Sequence, residues 1–182
     1  MAPWLLAALL GACGAAPQGG RFEVDRLEAN WSTGRMDVRF EQRLQLSQEA
    51  REALQHGVPL TVGVELVLRD ARTQSRIRKD RSSYEIRYLP LSEHYQLSYL
   101  SGPGEGDVRI FPRLRHALAE LGELRLSIDT GALPAGEYER LARSCLDNHR
   151  MPPPMRLPVL FSPRWSHESA WTSTVLDIEP GA

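Results

Sequence analysis

The sequence predicts a mainly β protein, a single β-sandwich of the immunoglobulin-like or Greek-key type that carries two short helices. Three observations support this fold class. Apolar and polar residues alternate with a period of two in several segments, most cleanly at 36–46 and 60–68, which is the pattern of half-buried strands. Turn-forming residues separate these segments. Two short segments, 47–57 and 112–122, are predicted to be helices from the residue spacing of an amphipathic helix.

The N-terminal part of the predicted domain is a β-hairpin followed by a helix. Segments 21–30 and 36–46 alternate, and Ser32–Gly34 between them has turn chemistry. Ser47 is a favourable N-cap, the apolar residues after it share one helical face, and Gly57 ends the segment. The sequence therefore predicts two strands and then a helix of two or three turns.

The middle of the chain predicts the centre of the sandwich. Residues 60–68 give the strongest strand signal, because alternate positions are all Leu or Val. Two tyrosine-rich segments, 84–88 and 95–100, follow on either side of a turn at 89–94, so we expect their aromatic rows to form cross-strand pairs. An exposed aromatic platform for a sugar or a base is the alternative interpretation.

The next elements lie beyond a Gly/Pro-rich loop at 101–106. Residues 110–114 are predicted to form an edge segment, and a helix that begins near Pro112 ends at Gly122. Alternation at 124–129 predicts another strand.

The C-terminal part contains one corner motif and two tryptophans. Residues 133–138, Leu-Pro-Ala-Gly-Glu-Tyr, resemble the tyrosine corner of Greek-key sandwiches. Residues 138–146 fit a strand or a helix, and we interpret them as a strand because the sandwich needs one there. Residues 151–158 predict extended, polyproline-like chain. Trp165 and Trp171 are expected on one strand face, where both cover the end of the core.

The N-terminus predicts export. Residues 1–20 contain no charged side chain and include an apolar run, which is typical of a secretory signal. Leu10–Cys13 resembles a bacterial lipobox, so we predict lipidation of Cys13; signal cleavage nearby, for instance after Ala16, is the alternative. The predicted organisation is a signal or lipoprotein segment and tether at 1–20, a single β-sandwich domain at 21–176 and a flexible tail at 177–182.

Charge is balanced over the chain and uneven along it. The net charge of -1 gives no argument for nucleic acid as a partner. Segment 69–87 is locally basic, and two interpretations are open. It forms a partner surface that binds anionic lipid headgroups or a polyanion, or it is a charged hairpin tip that blocks edge-to-edge pairing. The residues of this predicted basic surface are Arg69, Arg72, Arg76, Arg78, Lys79 and Arg81.

The sequence lacks the common catalytic and cofactor motifs. It contains no Gly-x-Ser-x-Gly elbow, no P-loop and no dinucleotide-binding glycine motif after a strand. A metal site from Cys145 and His149 would have only two ligands, which is more often coincidence. Cys145 is interpreted as a buried small hydrophobe, and Glu120 and Glu123 as solvated helix-end charges. We therefore predict no enzyme activity, no cofactor and no metal.

Several of these features follow the order found in one bacterial family. They are the Gly57–Leu60 segment with its strand, Tyr84–Tyr95 with Leu91 and Ser92, Phe111 before the helix Ala117–Leu121, Leu133–Gly136, and the tail from Leu157 to Trp165 and Trp171. Over residues 22–172 the chain resembles domain-of-unknown-function family 4390. The resemblance implies an exported or membrane-linked protein, often encoded beside a sensor histidine kinase. It implies no catalytic residues, because the matching residues are structural.

Together these features predict a non-catalytic protein-binding or scaffold module of the bacterial cell envelope. It would face the periplasm, be held at the membrane by an N-terminal lipid or signal anchor, and bind another envelope protein. Two alternatives stay open. The resemblance implies an accessory component of a sensor-kinase signalling system. A concave site with convergent polar groups would instead indicate a ligand-binding or enzymatic domain acting on cell-wall or lipid material.

Overall fold

Two β-sheets pack face to face in a computed structural model that describes residues 19–151 and 163–179. The smaller sheet has the strand order β1-β2-β7, and the larger sheet has the order β6-β5-β4-β3-β8-β9. The strands are β1 (Arg21–Ser32), β2 (Arg35–Gln45), β3 (Leu60–Asp70), β4 (Arg76–Leu89), β5 (His94–Ser101), β6 (Val108–Phe111), β7 (Glu123–Asp129), β8 (Gly136–Leu146) and β9 (Thr172–Ile178). The helices are α1 (Gln48–Gln55) and α2 (Leu114–Gly122), and two 3₁₀ turns cover Asn148–Arg150 and Pro163–Trp165. The predicted mainly β sandwich with two short helices is confirmed.

The N-terminal hairpin forms where the alternation predicted it. Thr33 and Gly34 connect β1 to β2 with φ angles of 49° and 83°. Two residues with positive φ make a turn whose twist matches that of the flanking strands. Because of this tight turn, the register places Trp31 opposite Met36 and fixes which face of β2 enters the core.

Helix α1 begins and ends at the predicted residues. The backbone N–H of Ala50 donates to the hydroxyl of Ser47, 3.1 Å away, which caps the N-terminus. Ala50 and Leu54 are fully buried. Gly57 has a φ of 85°, which suits the left-handed position after a helix.

The larger sheet is built around β3, which is buried on both faces for most of its length. Tyr84 lies opposite Tyr99, and Tyr88 lies opposite Tyr95, as the predicted cross-strand pairs require. The ring centroids of each pair are 5.1 Å apart. Tyr84 is fully buried and the other three rings pack against the core, so these tyrosines form part of the core and not an exposed platform.

The tyrosine corner is present. The hydroxyl of Tyr138 donates to the carbonyl oxygen of Pro134, 2.7 Å away, and only 5 % of Tyr138 is exposed. The residues after it form β8, with alternate side chains buried as far as Leu146. The interpretation of this ambiguous segment as a strand is therefore confirmed.

The tryptophans near the C-terminus do not share a face. Trp165 is buried and joins the core from a 3₁₀ turn, whereas Trp171 precedes β9 and is 43 % exposed. The prediction is wrong for Trp171, because its ring stacks with the Arg143 guanidinium, 4.6 Å from the ring centroid, outside the core. Strand β9 continues to the buried Ile178, two residues past the predicted domain end at 176. Residues 152–158 of the predicted polyproline segment lie outside the described residues.

Helix α2 connects the two sheets at one end of the sandwich. It follows β6, the edge strand of the larger sheet, and leads into β7, an edge strand of the smaller sheet. The side chain of Gln42 on β2 donates to the carbonyl oxygen of Leu121, 2.8 Å away, which holds the end of the helix against the smaller sheet. Because the larger sheet has twice as many strands, no strand in the described part of the chain covers its inner face near β5 and β6. In the described part of the chain, no helix has the length and apolar character needed to cross a bilayer.

Candidate functional site

A cleft of about 770 Å³ opens beside β7, at the end of the sandwich where α2 lies. Its walls are β7, α2, the inner face of β4, β5 and β6, and the loop that precedes β6. The polar residues that line it are Tyr84, Tyr99, Asp107, Arg109, His116, Glu120, Glu123 and Arg125. The volume falls within the range of about 300–1,000 Å³ that small-molecule sites usually have. A concave site with convergent polar groups is therefore present.

An ion pair between Arg109 and Glu120 crosses the cleft from β6 to α2. The Tyr99 hydroxyl also donates to Glu120 Oε1, at 3.4 Å, and the Arg109 guanidinium lies 5.5 Å from the centroid of the Tyr99 ring. Burial raises the pKa of Tyr99, and the neighbouring Glu120 carboxylate raises it further against the opposing charge of Arg109. These three groups therefore form one charged cluster that holds α2 against the larger sheet.

Tyr84 contributes a buried hydroxyl without a hydrogen-bond partner among the described residues. The side chain is fully buried, and its ring packs edge-on against Tyr99 at an interplanar angle of 87°. Burial raises the pKa of Tyr84 to about 12, and the nearby Ser82 hydroxyl, which does not reach hydrogen-bonding geometry with it, opposes the rise. A buried hydroxyl that makes no hydrogen bond destabilises the protein by about 1–3 kcal/mol.

Two glycines let the loop before β6 lie close to the cleft wall. A Cβ atom on Gly102 would lie 2.2 Å from the Ser82 hydroxyl, and Gly102 has a φ of 94°. A Cβ atom on Gly104 would lie 3.2 Å from the Tyr99 ring. The glycine-rich sequence of this loop therefore shapes the site as well as marking a turn.

The outer edge of β7 faces the cleft, and within residues 19–151 and 163–179 no strand lies beside it. Among the described strands β7 pairs with β2 alone, and just beyond it the backbone N–H of Thr130 donates to the Gly34 carbonyl, 2.9 Å away. Backbone groups of an antiparallel strand point alternately to its two sides. Those of Arg125 and Ser127 therefore point away from β2, which leaves a strand edge open to binding.

The lining side chains can hydrogen-bond and form ion pairs with a polar ligand. Glu120 is already engaged by Arg109, and His116 accepts a hydrogen bond from the Arg115 side chain at 3.3 Å. Within residues 19–151 and 163–179, no three His, Cys, Asp or Glu side chains lie together as metal ligands. The cleft therefore contains hydrogen-bond donors and acceptors, and charged groups of both signs.

Four residues of the predicted basic surface are engaged in ion pairs within the larger sheet. Arg69 pairs with Glu139 at 2.7 Å, Arg78 with Asp80 at 2.8 Å, Lys79 with Glu65 at 3.4 Å, and Arg81 with Asp147 at 2.7 Å. Carboxylates from β3, β8 and the segment after β8 thus offset much of the local positive charge. Among the described residues, Arg72 and Arg76 at the hairpin tip form no ion pair.

Glu65 is the centre of this ionic network. Its side chain is only 6 % exposed and contacts Lys79, Arg81 and Arg143. Burial alone would raise the pKa of Glu65, but the hydrogen bond and charge of Arg143, with Lys79, leave it below its usual value. These charges therefore pair with one another across the larger sheet. The local count of charges in the sequence could not predict this pairing.

Arg140 is a charged residue that the sequence interpretation missed. It is fully buried on β8, between Tyr138 and Ala142 on the inner face. The only sequence signal was its position in an alternating strand, two residues from each of those core residues. Asp80 on β4 is its ion-pair partner, with 3.6 Å between Oδ2 and Nη2.

Only one of the two cysteines, Cys145, lies in the described part of the chain. Cys13 lies outside the described residues, so its lipidation stays a prediction. Cys145 is half-buried on β8 and forms no disulfide in the described part of the chain. Burial raises the pKa of its thiol despite the nearby Arg81 and Arg143, which agrees with an inert packing role.

The fold and the cleft define a two-sheet β protein with an open strand edge at one end. The chain matches the family model "Domain of unknown function (DUF4390)" over residues 20–174. It belongs to this family, and the resemblance noted from its sequence is confirmed. No curated protein and no solved structure matches the chain significantly.

Proposed function

We propose that this protein is a non-catalytic binding module of the bacterial cell envelope that recognises another envelope protein at the cleft beside β7. The open edge of β7 is the observation that carries the proposal. An unpaired strand edge is a template for main-chain hydrogen bonds with another polypeptide. Native proteins usually cover or disrupt such edges, so one that opens into a polar cleft suits a binding role.

The proposed location is the periplasmic side of a membrane, with a lipid on Cys13 as the anchor. The lipobox-like residues Leu10–Cys13 support this part of the proposal. Replacing Cys13 with serine should move the protein from membrane to soluble fractions. If the variant stays in the membrane fraction, acylation of this cysteine is not the anchor.

Only part of the predicted basic surface is available for a partner. Arg72 and Arg76 are the members without an ion pair among the described residues, so they are the ones available for a partner. Replacing both with alanine should lower partner capture at low ionic strength and leave it unchanged at high salt, because exposed charges act mainly by steering association. An equal loss under both conditions would contradict this role.

In-cell photo-crosslinking from the cleft tests the proposal. A photoreactive residue in place of Arg125, which lines the cleft, should trap a specific envelope protein. The matched control is the same substitution at Arg26, an exposed arginine on β1 of the same sheet. Trapping of the same partner from both positions, or from neither, would contradict a binding site at the cleft.

The cleft also favours a second candidate function, the binding of a cell-wall or lipid component. Its volume of about 770 Å³ would accommodate a small molecule. A thermal shift with muropeptides or phospholipid headgroups, absent in a variant with Arg109 replaced by methionine, would support this function over protein binding.

A further inference from the structure

We infer that the cleft binds an extended polypeptide segment, which adds to β7 as a fourth strand of the smaller sheet and carries a basic residue. The inference rests on the proposed function and specifies the chemistry of its partner. It follows from two features of the cleft: the direction of the β7 backbone groups and the charge of the lining.

The β7 backbone selects a polypeptide over other ligands. The N–H and C=O groups of Arg125 and Ser127 point away from β2, as the Thr130–Gly34 hydrogen bond indicates. They repeat every two residues along the edge, a spacing that another extended chain matches. Strand β7 is seven residues long, so a segment of similar length would use the whole edge.

A strand added to β7 would pass over the inner face of β4 and β5. Neighbouring strands lie about 4.8 Å apart and packed sheets about 10 Å apart. The fourth strand would therefore lie above Tyr84 and Tyr99, which line the opposite wall.

The inner side of the segment would be apolar. Leu124 and Leu126 of β7 point into the sandwich and are buried, yet both also line the cleft. In a strand added beside them, alternate side chains would point to the same inner layer. Valine or a similar β-branched residue at those alternate positions would extend the core.

The charge of the cleft selects a basic segment. Glu123 and Arg125 alternate with the buried Leu124 and Leu126, so their side chains point to the outer face of the smaller sheet. The charged lining residues on the inner side are Asp107, Arg109 and Glu120. Glu120 is neutralised by Arg109, whereas Asp107 forms no ion pair with a described residue. The remaining balance is one negative charge, which disfavours phosphate, nucleic acid and acidic peptides and favours lysine or arginine.

Amide hydrogen exchange with two model peptides tests the inference on the whole protein. The probes are capped heptapeptides of alternating valine and lysine, and of alternating valine and glutamate. With the lysine peptide, exchange of the Arg125 and Ser127 amides should slow about tenfold or more, because those amides become hydrogen-bonded. The glutamate peptide should bind at least about fivefold more weakly.

Two proline variants identify the edge that is used. Ser127→Pro removes an outward N–H of β7 without removing a bond to β2, and edge strands tolerate proline at such positions. It should abolish peptide binding. The matched control is Ile110→Pro on β6, the edge strand of the larger sheet, whose outward N–H is not part of the inferred site. That variant should bind the lysine peptide as the unmodified protein does.

Other outcomes would overturn the inference. Unchanged exchange at Arg125 and Ser127 with saturating peptide, or slowed exchange at Val108 and Ile110 in their place, excludes strand addition to β7. Equal affinity for both peptides excludes the basic requirement. A dimer without peptide that Ser127→Pro dissociates assigns the edge to a second copy of the chain. If crosslinking from Arg125 captures a partner but β7 is not protected, this inference fails while the proposed function stands.

Discussion

The guanidinium group of Arg140 on β8 reaches across β3 to Asp80 on β4, with 3.6 Å between Nη2 and Oδ2. Arg140 is fully buried, and none of its guanidinium nitrogens forms a hydrogen bond with a described residue. Burial lowers the pKa of Arg140, and the charge of Asp80 opposes that effect. Asp80 is therefore the compensating charge for a cation inside the sandwich.

Removal of Asp80 should destabilise the fold strongly. Asp80→Ala leaves the buried guanidinium without its counterion, and breaking such a pair from one side typically lowers the free energy of unfolding by about 3–5 kcal/mol. Urea denaturation measures the change. The control is Arg78→Ala, which removes only the more exposed ion pair of Asp80 and should change stability by about 1 kcal/mol or less. Equal effects of the two variants would contradict this role of Arg140.

Replacement of both charges should restore most of the stability. In Asp80→Ala/Arg140→Met no buried charge remains, and apolar replacements of buried ion pairs are often neutral or stabilising. The double variant should therefore be more stable than Asp80→Ala alone. A double variant as unstable as Asp80→Ala, or less stable, would contradict an uncompensated buried charge as the cause of the loss.

The tyrosine corner should contribute to the stability of the fold through its hydrogen bond. Tyr138→Phe deletes the hydroxyl that donates to Pro134 and leaves a carbonyl oxygen without that partner. We expect a loss of about 1–2 kcal/mol in the free energy of unfolding. The control is Tyr88→Phe at a half-buried tyrosine of the larger sheet, which should change stability by less than about 0.5 kcal/mol. Similar losses for both would assign the effect to packing.

The Tyr84 hydroxyl should contribute nothing favourable to stability. It is buried without a partner among the described residues, so Tyr84→Phe should leave the free energy of unfolding unchanged or raise it by about 1 kcal/mol. Binding of the valine–lysine peptide should not change, because the hydroxyl is inaccessible from the cleft. Thermal denaturation and peptide titration measure the two quantities. Destabilisation by more than about 1 kcal/mol would show that the hydroxyl is already satisfied.

His167 should make stability depend on pH. The backbone N–H of Ser47 donates to Nε2 of His167 at 2.9 Å, and Phe22 packs against the ring. Burial lowers the pKa of His167 below its ordinary value of 6.5, although the charge of Glu49 opposes the shift. Below pH 6.5 the unfolded chain therefore binds a proton that the folded protein excludes. Stability should be full above that pH and fall below it by up to about 1.4 kcal/mol per pH unit.

Denaturation of His167→Gln between pH 7 and pH 5 tests this linkage. Glutamine can still accept the Ser47 hydrogen bond but does not titrate, so the variant should lose most of the slope in that range. The control is His56→Gln, a change at an exposed histidine at the end of α1, which should keep the slope of the unmodified protein. A slope that survives in His167→Gln would assign the pH dependence to other groups.

The fold could be predicted largely because local rules and tertiary packing agree. Ser47 and Gly57 bound α1 as capping chemistry requires, and the pairing of Tyr84 with Tyr99 follows from alternation across a short turn. The same rules could not locate Trp171, because its exposed position depends on Arg143 from another strand. Alternation also gave no reason to expect that the guanidinium of Arg140 would be buried, because its counterion, Asp80, lies on β4.

The candidate site could not be predicted from the sequence for a different reason. Arg109, Glu120 and Tyr84 lie on three elements that only the fold brings together, and each is unremarkable alone. The basic segment was visible in the sequence, but its neutralising partners Glu65 and Asp147 are distant along the chain. Local charge counts therefore overestimated that surface, whereas the cleft results from unequal numbers of strands in the two sheets.

Amide hydrogen exchange of the complex captured from Arg125 tests the central claim most directly. Exchange rates would be compared between the protein alone and the purified complex with its envelope partner. The account predicts that the amides of Arg125 and Ser127 become protected by about tenfold or more, while those of Val108 and Ile110 keep their rates. Unchanged rates at Arg125 and Ser127 in the complex would contradict binding of the partner at the open edge of β7.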